Sequence, residues 1–380
     1  MPGKEGNHPA EVRRIQILKI LLAACNAKYI HSNLAVYNLK SCSGEYSPNV
    51  VIKEYTINQI QDDILKDIYL EQPDVICFSC YIWNLDYIEE IVLEIGKLRP
   101  DMPIWLGGPE VSYDAKEVLR RLPCVKGVMK GEGEKTFKEI CRIYRNEFEK
   151  RENVCGYQDK NVDNSWKKSE SVDNQLKGVD GITFREEKEK IIDNPWRPIM
   201  DLSEVPFVYD HMEDFEHKII YYETSRGCPF SCSYCLSSVD KRLRFRDIEL
   251  VKKELQFFLD HKVPQVKFVD RTFNCKHDHS IAIWKYIMEH DNGITNFHFE
   301  IAADILNEEE LELLEEYILS GKDIASNEKI EKHAAWVAEF LPKYEKLDKD
   351  NIQDVLRKEV GNVFVHVLED AGVYKRTEAG

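Results

Sequence analysis

The sequence predicts an α/β protein in two parts: an open, doubly wound parallel sheet, then a shorter run of strand–helix units that ends in a helical tail. Three observations carry this. Up to about residue 145, short apolar segments alternate with amphipathic ones; the apolar segments are followed by loops of small and polar residues; and from about residue 217 the alternation resumes for three units only. Sheets covered by helices on both faces read in this way, as apolar runs rather than as strict alternation.

In the first part, residues 17–24, 50–56, 74–79, 103–106 and 125–129 read as strands, and 57–70 and 87–98 as helices, the second with Ile88, Ile91, Val92 and Ile95 on one stripe. Such a sheet binds ligands outside the carboxyl ends of its strands. The loops there span 26–31, 79–84, 107–110 and 131–134. Residues 144–170 are polar and charged and read as a linker. Residues 181–184 and 191–195 can pair as a hairpin across a charged turn, and 201–207 read as a connector. Strands are then expected at 218–223, 265–270 and 296–301, with helices over 247–261 and 308–316. Beyond them, apolar residues recur at helical spacing, as in Ile352, Val355, Leu356 and Val363.

Directly after the first strand of the second part stands Cys228-Pro229-Phe230-Ser231-Cys232-Ser233-Tyr234-Cys235, three thiols in one short loop. A cubane iron–sulfur cluster held by three thiolates keeps open positions on its fourth iron. A closed zinc site would want four ligands, and no partner pair is visible nearby.

With the preceding Arg226-Gly227, this loop resembles the signature of the radical S-adenosylmethionine superfamily, whose next-to-last position is aromatic, as Tyr234 is. The resemblance implies a [4Fe–4S] cluster on Cys228, Cys232 and Cys235, with S-adenosylmethionine chelated at the open iron and Tyr234 beside the cofactor. It also places the loop at the carboxyl end of a barrel strand, the face where barrel enzymes keep their sites. Asp270, Arg271, Asn274, His298, Glu300 and Asp304 follow later strands and are candidates for holding S-adenosylmethionine or substrate. The family's Gly-Gly-Glu segment is replaced by Val269-Asp270-Arg271-Thr272. Arg244 and Arg246 are either a carboxylate or phosphate partner or a solvated basic face.

Ahead of this loop, Leu106-Gly107-Gly108-Pro109 and the run from Lys130 through Gly131, Glu132 and Gly133 to Phe137 resemble the cobalamin-binding domain of the cobalamin-dependent radical S-adenosylmethionine class. The resemblance implies that Ser79 meets the cofactor's nucleotide tail and that Gly107 and Gly108 let it approach the backbone. The Asp-x-His-x-x-Gly motif that carries a lower cobalt ligand is missing. His31 lies in the corresponding loop and is either that ligand or a hydrogen-bonding surface residue. The expected layout is a Rossmann-like cobalamin-binding domain over 1–145, a linker and hairpin over 146–216, a partial (β/α) radical S-adenosylmethionine barrel over 217–318 and a helical tail over 319–380. The family's barrel has six units; here the tail either covers the open edge of a shortened barrel or follows an internal deletion.

Fifty-two Lys and Arg stand against 68 Asp and Glu, a net charge of -16. This removes the electrostatic term that usually drives nucleic-acid binding, and no membrane span or signal peptide is visible, so a cytoplasmic protein is expected. Eleven cysteines in such a chain read as reduced thiols and cluster ligands, most of the scattered ones packed in cores. The expected function is reductive cleavage of S-adenosylmethionine coupled to cobalamin, with methyl transfer as the outcome the resemblance suggests. It implies a reducing partner such as flavodoxin or ferredoxin and a small-molecule or peptide substrate. The alternatives are a non-catalytic iron–sulfur and corrinoid-binding protein and a zinc-binding module.

Overall fold

The computed structural model describes residues 17–156, 171–186, 190–233, 235–239 and 241–319. Most of the expected linker, Tyr234 and the expected tail beyond 319 lie outside the described residues. The described chain falls into two compact units, one ending at Lys28 and resuming over Ala35–Pro198, the other made of Tyr29–Leu34 and the chain from Ile199.

The first unit runs β1 (Ile20–Asn26), α1 (Leu34–Cys42), β2 (Val50–Thr56), α2 (Gln61–Glu71), β3 (Val75–Ser79), α3 (Leu85–Leu98), β4 (Ile104–Gly107), α4 (Pro109–Ser112), α5 (Ala115–Arg121), β5 (Gly127–Met129), α6 (Glu134–Gly156), α7 (Val172–Leu176), β6 (Ile182–Arg185) and β7 (Ile191–Asp193). The sheet order is β2-β1-β3-β4-β5-β6-β7, parallel through β5 and antiparallel over the last two strands.

Every residue of β1 and β3 is buried, which requires helices on both faces. Leu21, Ala23, Ile76 and Phe78 meet Ile64 and Ile68 of α2, the Ile88, Ile91, Val92 and Ile95 stripe of α3, and Val118 and Leu119 of α5. Their neighbours Ile20, Leu22, Ala24 and Cys77, with Trp105, meet Phe137, Ile140, Cys141 and Tyr144 of α6. Alternation along each strand thus divides one apolar run between two cores. Trp105 donates its indole N–H to Tyr144 Oη at 3.1 Å. A Cβ at Gly127 would lie 2.4 Å from the Trp105 ring, so the indole occupies the space that glycine leaves. Burial also raises the thiols of Cys77 and Cys141 and pushes Cys25 up to about 12, which makes them inert packing groups.

Three expectations change, the first being that α6 runs on to Gly156 through the start of the span expected as a linker from 144. Helix α2 begins at Gln61 rather than 57, because Gln59 Oε1 accepts the Thr56 N–H at 2.8 Å and turns the chain first. The hairpin set apart with the linker instead completes the sheet, β6 pairing antiparallel with β5. The pairing closes an edge that β5 would otherwise expose.

The second unit contains β8 (Ile220–Tyr222), β9 (Ser225–Arg226), β10 (Arg244–Phe245), α8 (Ile248–Asp260), β11 (Gln265–Phe268), α9 (His277–His290), β12 (Asn296–His298) and α10 (Glu308–Leu319). Strands β12-β11-β8 form a parallel sheet, and β9 and β10 a small antiparallel pair. The expected three strands are present, each shorter than its apolar run. Asp247 caps α8, accepting from the Glu249 and Leu250 amides at 3.0 and 3.1 Å. Asn307 and Glu310 form a reciprocal cap on α10, and buried Glu310 also accepts from Ser280 Oγ of α9 at 2.7 Å. Arg246 is no solvated face. It is buried, donates to Glu254 Oε2 at 2.9 Å and to the Leu202 carbonyl at 2.8 Å, and Tyr222 donates to the same carboxylate oxygen at 2.5 Å.

Ile91→Ala, in a fully buried position, is expected to lower unfolding free energy by about 2–5 kcal/mol, against a change within about 0.5 kcal/mol for Ile82→Ala at an exposed one; urea unfolding followed by circular dichroism separates them. Glu254→Gln leaves Arg246 buried without its charge partner and is expected to cost about 3–5 kcal/mol in the same measurement.

Candidate functional site

Two groups of loops stand at the carboxyl ends of parallel strands, one in each unit. In the first unit, β3, β4 and β5 deliver Ser79, Gly107 and Met129 side by side, paired in register. Buried Asn84 fixes the loop after β3: its amide donates to the Cys25 carbonyl at 2.9 Å and the Ser79 carbonyl at 3.2 Å, and its Oδ1 accepts the Tyr81 N–H at 2.7 Å. Ser112 ties the next two loops together, donating to the Gly108 carbonyl at 2.7 Å and accepting the Gly131 N–H at 3.1 Å. The structure therefore brings Ser79, Gly107, Gly108, Gly131, Glu132 and Gly133 to one edge.

The need for glycine at Gly108 is internal. Its φ is +111°, and a Cβ there would lie 2.4 Å from the Cys80 carbonyl oxygen. Gly107 has ordinary van der Waals room, with Met129 at 3.7 Å. Beside this edge Lys130, almost wholly buried, binds Asp193 Oδ1 at 2.5 Å and the Asn194 carbonyl at 2.8 Å, and lies over the Trp196 ring at 5.2 Å. Burial opposes the Asp193 charge, but hydrogen bonds from Lys130, Thr183 and Lys116 outweigh it and hold the carboxyl well below the usual range.

His31 goes elsewhere. The segment Tyr29–Leu34 belongs to the second unit, where His31 forms a parallel bridge with Ile219 at the start of β8. Ile219 donates its N–H to the Ile30 carbonyl at 2.8 Å, Ser32 Oγ donates to the Ile219 carbonyl at 3.0 Å, and His31 Nδ1 shares a 2.6 Å hydrogen bond with Tyr221 Oη. His31 is a hydrogen-bonding partner of β8.

In the second unit the cysteine loop follows β9. Gly227, at φ +97°, turns the chain into it. Cys228 is buried, Cys235 half-buried and Cys232 exposed, and the Cys235 N–H donates to the Cys232 carbonyl at 3.2 Å. No three His, Cys, Asp or Glu side chains converge as a metal site among the described residues, so the thiols share the loop without yet meeting at one point. Bidentate pairing of Arg226 with Glu223, at 3.0 and 2.7 Å, braces the approach.

The loop is tied to the neighbouring strand. Asp270, fully buried just beyond β11, accepts the Thr224 N–H at 3.0 Å and the Thr224 hydroxyl at 2.8 Å. Burial pushes its carboxyl up to about 6, and the hydrogen bonds from Ser225 and Thr224 limit the rise. Thr272 Oγ1 lies 3.4 Å from Cys228 Sγ. Asn274, also fully buried, exchanges two hydrogen bonds with the Ala302 backbone at 2.8 and 2.9 Å. Asp270 and Asn274 are thus spent on the scaffold, whereas Arg271, His298, Glu300 and Asp304 are exposed, Glu300 with Lys267 Nζ at 3.5 Å. Sequence reasoning missed Asn84, Ser112, Thr224 and Thr272; the available signal was a polar residue within a few positions of an apolar run.

Residues 20–141 match the B12 binding domain family model, and residues 222–323 match the Radical SAM superfamily model. A B12-binding domain is thus followed in this chain by a Radical SAM domain. Over 232 residues the chain is 29% identical to "Uncharacterized methyltransferase PH0819" of Pyrococcus horikoshii, covering 58% of this chain and 44% of that protein. A solved structure of the cobalamin-dependent S-adenosylmethionine radical enzyme OxsB, with aqua-cobalamin and S-adenosylmethionine bound, shares the fold at TM-score 0.58 and 19% identity, covering 80% of this chain and 42% of that one. A stretch of 75 residues is 45% identical to a galactose-1-phosphate uridylyltransferase of Halalkalibacterium halodurans, covering 19% of this chain and 15% of that protein. The chain therefore spans less than half the length of these relatives. The two family models imply a [4Fe–4S] cluster, S-adenosylmethionine and cobalamin as cofactors. Among the described residues no helix is long and apolar enough to cross a membrane.

The exposed Cys232 thiol is expected to react with iodoacetamide before buried Cys228 in the iron-free protein, and to be protected after anaerobic reconstitution; peptide mass spectrometry reads both states. Because the Asp193 carboxyl is more acidic folded than unfolded, its contribution to stability is present above about pH 4 and lost below it. The stability gap between the protein and its Asp193→Asn variant is therefore expected to narrow as urea titrations move from pH 5 to pH 3.

Proposed function

We propose that this chain is a cobalamin-dependent radical S-adenosylmethionine enzyme whose cluster is held by Cys228, Cys232 and Cys235. The single observation that carries the reading is the placement of three thiols, and no fourth, in one loop beside the carboxyl ends of β8 and β11. That donor set suits a cluster with one open iron. When bound, the reduced cluster supplies the electron that cleaves S-adenosylmethionine, and cobalamin supplies a carrier for a methyl group.

The chain's own residues bind, orient and pack the site. Gly227 and the Arg226–Glu223 pair set the entry to the loop, and Cys228 packs against the segment after β11. Phe268 at the end of β11 and Phe273, next to Thr272, are fully buried and meet Phe299 at ring distances of 4.5 Å each, an apolar cluster that packs these strand ends. Tyr234, Glu300 and the exposed Arg271 and His298 are proposed to face S-adenosylmethionine or substrate. On the other unit Ser79, Gly107, Gly108, Gly131, Glu132 and Gly133 are proposed to border cobalamin. The Tyr221 hydrogen bond engages Nδ1 of His31, so a cobalt bond from His31 would have to come from Nε2.

Methyl transfer to an unactivated centre is the proposed outcome, supported by the likeness to the Pyrococcus horikoshii protein, which is named as a methyltransferase. The reading calls for a one-electron reductant such as flavodoxin or ferredoxin and a small-molecule or peptide substrate. The net charge of -16 disfavours a polyanionic one.

Anaerobic reconstitution with iron and sulfide, followed by paramagnetic resonance of the reduced protein, is expected to give a cluster signal that changes when S-adenosylmethionine is added. Product analysis is expected to show 5′-deoxyadenosine or S-adenosylhomocysteine. Cys232→Ala is expected to abolish cluster absorbance and cleavage together; cleavage that survived it would sink the assignment. A cluster indifferent to S-adenosylmethionine would favour a binding protein without turnover.

A further inference from the structure

We infer that the Thr272 hydroxyl donates a hydrogen bond to the Cys228 thiolate and so raises the reduction potential of the cluster that Cys228 holds; this rests on the cluster reading above. Thr272 Oγ1 and Cys228 Sγ lie 3.4 Å apart, and both residues are buried. While Cys228 is a thiol, either atom can be the donor. Iron is bound by thiolate, so ligation removes the sulfur's proton and leaves Thr272 as the donor of this pair.

The hydroxyl is held in place. Val269 donates its N–H to the Tyr222 carbonyl at 2.8 Å, Asp270 takes both hydrogens of Thr224, and the Cys275 N–H donates to the Thr272 carbonyl at 3.1 Å. The segment carrying Thr272 is therefore fastened to β8 on one side and to its own turn on the other. The hydroxyl faces the sulfur without the entropy of a freely rotating surface group. A donor at a ligand sulfur stabilises the reduced cluster, which carries more negative charge, more than the oxidised one, and hydrogen bonds to cluster sulfurs are among the determinants of potential. Burial of the pair keeps water from supplying the same bond.

The test uses the full chain reconstituted anaerobically, without S-adenosylmethionine, in a redox titration followed by paramagnetic resonance. Thr272→Val keeps the shape and removes the donor; Thr272→Ser keeps the donor. A hydrogen bond to a charged group is worth about 1.5 kcal/mol or more, and only the part gained on reduction moves the potential, so Thr272→Val is expected to lower the reduced-to-oxidised ratio at fixed poise by up to about tenfold, at most roughly 59 mV for one electron. Thr272→Ser is expected to titrate near the unaltered protein. Thr272→Val titrating together with the unaltered protein would overturn the inference. Should Thr272→Val fail to assemble a cluster, resonance Raman of the unaltered protein in H2O and D2O decides. A solvent-isotope shift of an iron–thiolate stretch is expected, and none would overturn the inference. Absence of iron from the reconstituted, unaltered protein would instead overturn the cluster reading itself.

Discussion

Parallel strands end together, and that places a row of backbone groups and loops at one edge with no sheet partner to fix them. Everything functional in this chain depends on how that edge is tied. In the second unit the tie is the buried carboxylate of Asp270, which takes the amide and hydroxyl hydrogens of Thr224 and so couples the end of β11 to the strand that opens the cysteine loop. The energetic sense is clear: a buried carboxylate is tolerated where donors surround it, and its raised pKa records the cost of holding it there. Asn274 with Ala302 repeats the device one strand further along, as Asn84 and Ser112 do in the first unit.

The same polar residues divide the labour between scaffold and chemistry. Asp270 and Asn274 satisfy backbone groups and are closed to a ligand, while the exposed residues interleaved with them remain accessible. The buried Arg246–Glu254 pair extends the pattern toward the connector, since Arg246 also holds the Leu202 carbonyl and Tyr222 of β8 shares the carboxylate. One ion pair thus joins connector, first strand and first helix.

Much of this was legible in the residues. Four of the five parallel strands of the first unit are mostly apolar runs, and the α3 stripe of Ile88, Ile91, Val92 and Ile95 is the stripe that packs. What was not legible depends on distance in sequence. Nothing local marks the hairpin of β6 and β7 as part of the first sheet, because its partner β5 lies more than fifty residues earlier. Arg246 has the look of a surface cation until Glu254, two turns along α8, is seen to share its burial. His31 sat in the loop where a cobalt ligand would be sought, and only the fold reveals Tyr221 as its partner.

That last contact makes the two units interleaved in sequence. Tyr29–Leu34 lies within the span of the first unit yet folds with the second, so no single cut yields both units whole. His31 and Tyr221 are separated by 190 positions. During synthesis the short segment emerges early and must wait, unpaired, until almost two hundred further residues have left the ribosome. Order of appearance and order of assembly are therefore reversed at this point of the chain: the second unit's sheet acquires its edge from a segment made long before its own strands.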